Sequence, residues 1–292
     1  MLHDPSNRSC HNTILLILPK FKSVYHNYFI KICSRETVNK FVKFIKHVKF
    51  NVIRRKMSSK LLYMYDSYIK EFDATVTYVN NNSIELDQTA FFPTSGGVQH
   101  DTGILISQNT IYQVIDVVKE NNRVFHIINK PGLKISDKVH GVVDWNRRYK
   151  LMRMHTAAHL LSAVFYNDLH ALITGNQLDV DKSRIDFSVE TFDRELIMKL
   201  VEKANQLIKS DIKVKIYFMK RDDALKIPDL VKLAEAHPPD IEELRIVEIE
   251  GIDKQADGGP HVSYLNEIGN IVVLKLENKG KTNRRIYYTV QP

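Results

Sequence analysis

Two histidines spaced four residues apart carry the clearest chemical signal in the sequence. His155 and His159 lie in a segment with helical patterning, and positions i and i+4 are neighbours on one face of a helix. A third histidine, His261, follows a Gly-Gly turn far downstream. Neutral imidazole is a common zinc ligand, and catalytic zinc typically has three protein ligands and one open position. The spacing therefore indicates a zinc site, although such a pair is also typical of ordinary buried helical histidines.

The residues around this pair limit the kind of metal chemistry. Thr156 stands where a His-Glu-x-x-His metalloprotease carries its glutamate, so that class of enzyme is excluded. Both cysteines, Cys10 and Cys33, precede residue 57, so a zinc ligand in the rest of the chain is a histidine or a carboxylate. The same distribution excludes a disulfide framework in residues 57–292. This is typical of a reducing compartment, and we expect a cytoplasmic protein.

The first 56 residues differ from the rest of the chain in charge. They contain 12 lysines and arginines but only two acidic residues, a formal charge of +10, whereas the whole chain carries +8 and the remainder therefore −2. Residues 36–50 place lysines between apolar residues at helical spacing, which is typical of a membrane-surface or RNA-binding helix and less typical of a transit peptide. The apolar run at 13–18 is shorter than the roughly 20 residues that cross a bilayer. We interpret residues 1–56 as a dispensable extension or a start assigned too early, and we expect no membrane contact of the remaining core.

Short strands and a long helix must position the histidines. Alternating apolar residues predict strands at 72–79, 83–86, 103–106, 110–118, 123–128 and 140–143, which favours a small barrel. A helix is predicted from Trp145 through the histidine pair to about Asn167. Beyond it we predict helices packed on one antiparallel sheet. The predicted strands there are 183–189, 213–219, 244–249, 267–276 and 285–290, and the predicted helices are 193–209, 222–225 and 228–236.

Four stretches of the sequence resemble the freestanding alanyl-tRNA editing proteins, which are similar to the editing domain of alanyl-tRNA synthetase. They are Thr89–Gly97 with Asp101–Gly103, Met152–Leu161, Ser183–Phe187, and Arg245–Val247 through Gly258–Val262 to Glu267–Gly269. They occur in the family's order and spacing, and the resemblance covers nearly all of residues 60–292. It implies the α+β class, with a small glycine-rich β-barrel domain at 57–144 and a zinc-bearing editing domain with an antiparallel sheet at 145–292.

The resemblance also implies an activity. Members of the family are trans-editing hydrolases that deacylate tRNA(Ala) mischarged with serine and, in some members, with glycine. The family's zinc ligands fall on His155, His159 and His261, with one zinc ion per chain. No ATP-binding or aminoacylation segment is recognisable in the sequence, so we expect an ATP-independent hydrolase and not a synthetase.

The sequence departs from the family pattern at two positions. The family often has cysteine before the downstream Gly-Gly, where this chain has Asp257. A carboxylate oxygen ligates zinc at about 2.0–2.2 Å, so Asp257 is a fourth ligand, a residue outside the coordination sphere, or a cap of the turn. Many relatives read Gly-Gly-Gln in the glycine-rich loop, whereas Val98 follows Gly97 here. The role of the family glutamine is therefore not carried over to this chain.

Thr94 is the residue predicted to recognise the substrate side chain. A site that hydrogen-bonds a substrate hydroxyl discriminates strongly against an analogue that lacks it. Thr94 precedes a turn in which Gly96 and Gly97 let the backbone approach a ligand closely. We predict that these three residues form the catalytic pocket, the alternative for Thr94 being an ordinary turn residue. Zinc either lowers the pKa of a bound water or positions the substrate, and the absence of a motif glutamate favours positioning.

Basic residues at the start of the metal helix are predicted to contact the tRNA. Residues 57–292 are nearly neutral overall, so affinity for the tRNA must come from local patches. The predicted contacts are Arg147, Arg148, Lys150 and Arg153, with Trp145 and Tyr149 interleaved. The alternative is a solvated charged face.

Two other functions are compatible with the same residues. One is an RNA-binding protein with a structural or inactive zinc site, and the other is a deacylase for a different misacylated tRNA. The sequence contains no pattern that sets an oligomeric state.

Overall fold

The structure is a computed structural model, which describes residues 59–227, residue 230 and residues 241–292. These residues belong to one compact unit. A closed β-barrel precedes a region of helices and antiparallel sheets, which confirms the predicted α+β class and the predicted barrel. The predicted extension 1–56 and, apart from Leu230, the predicted helix 228–236 lie outside the described residues. None of the described helices has the length and apolar character needed to cross a membrane.

The first eight strands form the barrel and a small ribbon beside it. They are β1 (Lys60–Leu61), β2 (Glu71–Asn80), β3 (Ser83–Leu86), β4 (Gln88–Thr89), β5 (Gly103–Ser107), β6 (Thr110–Glu120), β7 (Arg123–Ile128) and β8 (Lys138–Val143). The barrel closes in the order β2-β3-β7-β6-β5-β8, and β1 pairs in parallel with β4. The two-residue turn between β6 and β7 consists of Asn121 and Asn122, with φ values of 49° and 63°. Asparagine tolerates this hairpin geometry, which needs positive φ at both positions.

A buried histidine inside the barrel fixes the point from which the glycine-rich loop departs. His126 Nε2 lies 2.8 Å from Thr89 Oγ1, and this hydroxyl oxygen accepts the Phe91 N–H at 3.1 Å. Burial lowers the pKa of His126 to about 4. The ring is therefore neutral at pH 7 and serves as a hydrogen-bonding part of the barrel core.

The long helix α1 (Trp145–Leu169) lies at the centre of the second region. It begins where the Asp144 carboxylate accepts a hydrogen bond from Arg147 N at 3.2 Å, and it ends at His170, whose φ of 52° is left-handed. The predicted helix through both histidines is confirmed and extends slightly beyond its predicted end. Almost all of residues 151–165 are buried, so α1 is enclosed by other elements on every side.

The remaining elements form two antiparallel sheets. They are β9 (Ile173–Gln177), β10 (Ser183–Ser188), α2 (Arg194–Ile208), β11 (Val214–Lys220), α3 (Arg221–Ala224), β12 (Glu243–Ile249), β13 (Asp253–Ala256), β14 (Asn270–Asn278) and β15 (Asn283–Gln291). One sheet has the order β14-β15-β10-β9 and the other β11-β12-β13. The prediction of a single sheet is wrong. Strands β9 and β13 were also not predicted. Both are short and rich in polar residues, and they form by pairing with β10 and β12.

The predicted strand at 267–276 starts too early. Residues Leu265–Ile268 form a short 3-10 helix, and β14 begins only at Asn270. Glu267 is held in this helix because its carboxylate accepts hydrogen bonds from the backbone N–H groups of Ser263 and Tyr264. Gly269, at φ 79°, then redirects the chain, and a Cβ there would lie 1.9 Å from Gln291 O. The strand therefore begins after this glycine.

The two faces of β12 contact different cores. Leu244 and Ile246 pack in a small cluster with Leu230. Val247 and Ile249 belong to the main core around α1 and α2. Because successive side chains of a strand point to opposite faces, Arg245 shares the face of Val247 and is directed toward the region of α1.

Candidate functional site

Four side chains converge beside α1 in an arrangement that fits a metal ion. Helix α1 supplies His155 and His159, and the turn after β13 supplies Asp257 and His261. We call this group the His/Asp cluster, and one ligand atom of each member lies within 4.8 Å of all the others. The Nε2 atoms of His155 and His261 lie 3.5 and 3.1 Å from the Asp257 carboxylate oxygens. Ligand atoms around a tetrahedral zinc ion at about 2.1 Å are roughly 3.4 Å apart, so these separations fit.

Hydrogen bonds behind the rings orient two of the histidines. His155 Nδ1 lies 3.3 Å from Pro260 O and donates to this carbonyl. His261 Nδ1 lies 3.1 Å from Thr156 Oγ1, which itself donates to Met152 O at 2.9 Å. The His261 Nδ1–H therefore donates to Thr156. Both rings then present an unprotonated Nε2 toward Asp257, which is the usual way that an outer partner orients a metal-binding histidine.

His159 has the weakest attachment to protein atoms. Its Nε2 lies 3.9 Å from Asp257 Oδ1, and its buried Nδ1 has no hydrogen-bond partner among the described residues. A buried polar atom without a partner is costly. A cation bound at the Nε2 of His159 would give this ring a strong interaction that the protein alone does not provide there.

The protonation of the cluster also suits a cation. Burial lowers the pKa of His155 to about 4 and lowers that of His261 well below its usual value. Burial opposes ionisation of Asp257, but the positive charge that His155, His261 and His159 carry when protonated outweighs it, so the pKa of this carboxyl lies well below its usual range. At pH 7 the cluster therefore contains neutral imidazole at these two histidines and a charged carboxylate, the forms that bind metal.

Asp257 faces the cluster and also caps its own turn. Its Oδ2 accepts the Gly259 N–H at 2.6 Å. A Cβ on Gly259 would lie 2.5 Å from His155 Cε1, so glycine is needed for the turn to approach the ring this closely. Of the roles predicted for Asp257, the turn cap is confirmed, and its direct ligation of a metal stays a prediction.

Arg245 holds the turn from the other side. Its Nε donates to Met64 O at 2.8 Å and its Nη1 donates to Asp257 O at 2.9 Å, while its Nη2 is buried with no partner among the described residues. Arg245 thus ties the short 3-10 helix Leu62–Met64 to the turn that bears Asp257. No role was predicted for Arg245 from the sequence. The available signal was an arginine within the apolar strand sequence Leu-Arg-Ile-Val.

The glycine-rich loop is anchored by contacts with β9 and with its own neighbours. Gly97 has φ 82°, and a Cβ there would lie 2.1 Å from Asn176 Oδ1. Asn176 Nδ2 donates to Gly96 O at 3.0 Å. Thr94 is exposed, and its Oγ1 lies 3.1 Å from His100 Nδ1. His100 was also missed by the sequence reasoning, and it orients the hydroxyl that was predicted to recognise the substrate.

The glycine-rich loop and the His/Asp cluster are joined through the segment that follows β1. Within the described ranges, no hydrogen bond or ion pair directly connects Thr94, Gly96 or Gly97 with the cluster. Phe92, two residues before Thr94, packs edge-on against Tyr63 at 5.3 Å between ring centroids. Tyr63 is adjacent to Met64, the partner of Arg245. The two predicted parts of the site are therefore attached to one short stretch of chain.

The predicted tRNA contact of Arg148 is wrong. This arginine is completely buried in an ion pair with Asp101, and its guanidinium also donates to Ser67 O at 2.9 Å and to Ala90 O at 2.5 Å. Because the guanidinium is completely buried and each of its three nitrogens donates inside the protein, it is not available to a phosphate. Arg153 donates to Ile268 O at 2.9 Å and stays partly exposed, whereas the Lys150 side chain is 55% exposed.

Two family models and several known proteins are similar to this chain, and all of them concern tRNA synthetases or alanyl-tRNA editing proteins. The family described as "tRNA synthetases class II (A)" matches residues 24–147, and "Threonyl and Alanyl tRNA synthetase second additional domain" matches residues 244–287. The chain is 48% identical to "Alanyl-tRNA editing protein AlaX-M" of Saccharolobus solfataricus, over 79% of this chain and 98% of the relative. It is 44% identical to the protein of the same name from Methanosarcina barkeri, over 80% and 99%. It is 35% identical to "Alanine--tRNA ligase" of Ignicoccus hospitalis, over 74% of this chain and 24% of that enzyme.

Proposed function

Because the chain belongs to the alanyl-tRNA editing protein family, we propose that it is a hydrolase that deacylates tRNA(Ala) mischarged with serine or glycine. The observation that carries this proposal is the His/Asp cluster, in which three imidazoles and one carboxylate converge within 4.8 Å. The His/Asp cluster lies within the part of the chain that aligns with nearly the full length of a relative named as an editing protein.

The proposed metal is zinc, held by His155, His159, His261 and Asp257. A zinc ion held there would supply a Lewis acid next to the ester or a holding point for the acylated nucleotide. We favour the holding role because the carboxylate of the cluster, Asp257, accepts the Gly259 N–H, and Thr156 stands where a metalloprotease motif would supply a glutamate base. The protein's own contribution is to keep the carboxylate charged and the rings oriented, with Thr156 and Pro260 fixing two of them.

Thr94 is the proposed reader of the serine hydroxyl. Its side chain is exposed and is oriented by His100, whereas Gly96 and Gly97 are fixed on β9 by Asn176. A substrate whose ester lies at the His/Asp cluster would extend its side chain toward the loop. The tRNA contacts that remain proposed are Arg147 and Lys150 and, through its exposed part, Arg153.

Deacylation of charged tRNA tests the proposed function directly. The full chain is incubated without ATP with tRNA(Ala) carrying serine, glycine or alanine. We expect the serine ester to be hydrolysed faster than the alanine ester, because only serine offers a hydroxyl to the pocket. Metal content is measured on the same preparation. Stoichiometric zinc without hydrolysis would instead favour an RNA-binding protein with a structural zinc, and activity confined to another tRNA would favour a different deacylase.

Replacing Thr94 by valine tests how the substrate is read. The change keeps the shape of the side chain and removes one hydrogen bond, which typically contributes ~0.5–1.5 kcal/mol, so we expect a roughly 2–13-fold loss of kcat/KM toward the serine ester. The glycine ester should be nearly unaffected because it has no hydroxyl. Ser95→Ala, in the same exposed turn, is the matched control and should change neither rate. An equal loss on both esters would mean that Thr94 only holds the loop through His100.

A further inference from the structure

Two large aromatic side chains lie side by side in an exposed position. Tyr65 is 65% exposed and Phe218 is 37% exposed. Their ring centroids are 5.1 Å apart with an angle of 34° between the planes. We call this pair the aromatic platform. By contrast, the stacked pair Phe165 and Phe187 is completely buried, as expected for rings that stabilise the fold.

The aromatic platform is connected to the His/Asp cluster through Arg245 and Met64. Phe218 is paired directly with Arg245 across β11 and β12, and directly opposed residues of an antiparallel pair point to the same face. Arg245 binds the backbone oxygens of both Met64 and Asp257. Met64 Sδ lies 3.7 Å from the position that a Cβ on Gly258 would take. Tyr65 therefore directly follows Met64, which lies against the turn that bears Asp257, and consecutive Cα atoms are only about 3.8 Å apart.

We propose that Tyr65 and Phe218 stack the terminal adenine of the tRNA. This inference rests on the proposed function, because that function brings an acylated 3′ end to the His/Asp cluster. The ester is carried on the terminal ribose, so the terminal base lies one sugar away from the reacting carbonyl. Aromatic side chains stack any base without sequence preference, and each stacked base typically contributes the equivalent of a 5- to 150-fold change in affinity.

Arg245 positions the platform but is itself buried, with its guanidinium between Met64 and Asp257. Recognition at the platform therefore rests on the two exposed rings. A second copy of this chain is a weaker occupant. Two rings bury roughly 150–250 Å² each, whereas stable interfaces bury about 1,200–2,000 Å² in total.

The test uses the full chain and uncharged tRNA(Ala) whose terminal adenine is replaced by 2-aminopurine. Stacking quenches the fluorescence of this base, and a dye at the 5′ end reports affinity through anisotropy. We expect quenching with the native protein and with Tyr65→Phe. We expect loss of quenching and at least roughly 5-fold weaker binding with Tyr65→Ala. Phe218→Leu is a second variant and should lose part of the quenching. Leu274→Ala, at a residue that is 49% exposed in β14, is the control and should resemble the native protein.

The outcomes separate this inference from the proposed function. Platform-dependent quenching without deacylation would support the platform and overturn the hydrolase. Deacylation with native quenching in both Tyr65→Ala and Phe218→Leu would overturn the platform and keep the hydrolase. If these two variants keep the native quenching but differ from the native protein in molecular mass by light scattering, the platform is also overturned, and the surface is assigned to a second copy of the chain. Absence of quenching with the native protein would overturn it as well.

Discussion

Replacing both His155 and His159 by alanine should remove zinc and lower the deacylation rate by at least roughly 100-fold. The change deletes two of the four side chains of the His/Asp cluster and leaves His261 and Asp257 with too few ligands for a stable site. Losing even an outer hydrogen bond to a metal-binding histidine typically costs 10–100-fold in metal affinity or activity, and loss of ligands should cost more. The measurements are elemental analysis of the purified protein and the rate of seryl-tRNA(Ala) deacylation.

Two further variants serve as a control and as an intermediate case for this experiment. His140→Ala removes an imidazole that is 41% exposed on the barrel, and it should keep both zinc and activity. Thr156→Val removes the hydroxyl that accepts from His261 Nδ1, and it should weaken zinc binding by roughly 10–100-fold without deleting a ligand. Full zinc occupancy in the double histidine variant would contradict the proposed site.

Local patterns were sufficient to predict that His155 and His159 share one face of a helix. The helical spacing of His155 and His159 depends only on residues within one helix, and α1 places both rings as expected. The partners that orient the rings are remote in sequence. Thr156, interpreted only as the absence of a glutamate, lies 105 residues from His261, to which it is hydrogen-bonded. A single sequence contains no periodicity that could reveal this contact.

The errors concern polar residues whose environment is set by distant partners. A basic residue at the start of a helix is ordinarily exposed, so Arg148 was assigned to tRNA. Its burial depends on Asp101, which lies 47 residues earlier in a loop without regular structure. Strands β9 and β13 were missed for a similar reason, because they have little alternation and form by pairing with stronger strands. Tertiary contacts overrode local preference in both cases.

Replacing Arg148 by alanine should destabilise the protein more than any other single change proposed for it. The substitution leaves Asp101 charged and completely buried, and it leaves two backbone oxygens, Ser67 O and Ala90 O, without their donor. Breaking a buried ion pair by removing one partner typically costs 3–5 kcal/mol. For a domain of this size that corresponds to a fall in Tm of roughly 6–20 °C, measured by circular dichroism.

A surface ion pair provides the control for this effect. Lys203 and Asp168 are 2.7 Å apart with side chains 52% and 31% exposed, so Lys203→Ala should cost about 1 kcal/mol or less. The paired change Arg148→Met with Asp101→Leu should recover much of the lost stability, because it removes both buried charges together. A fall of less than about 2 °C in Arg148→Ala would contradict the buried pair.

The same ion pair should also affect activity, for a reason that stability alone does not give. Asp101 Oδ2 accepts the Phe92 N–H at 2.6 Å and so fixes the start of the glycine-rich loop. Arg148 holds Ser67 O, and Ser67 Oγ accepts the His261 N–H at 3.2 Å. One guanidinium thus supports both the predicted reader loop and a predicted metal ligand. The double variant should therefore regain thermal stability without regaining the native kcat/KM for the serine ester, whereas full recovery of both would show that Arg148 contributes to stability alone.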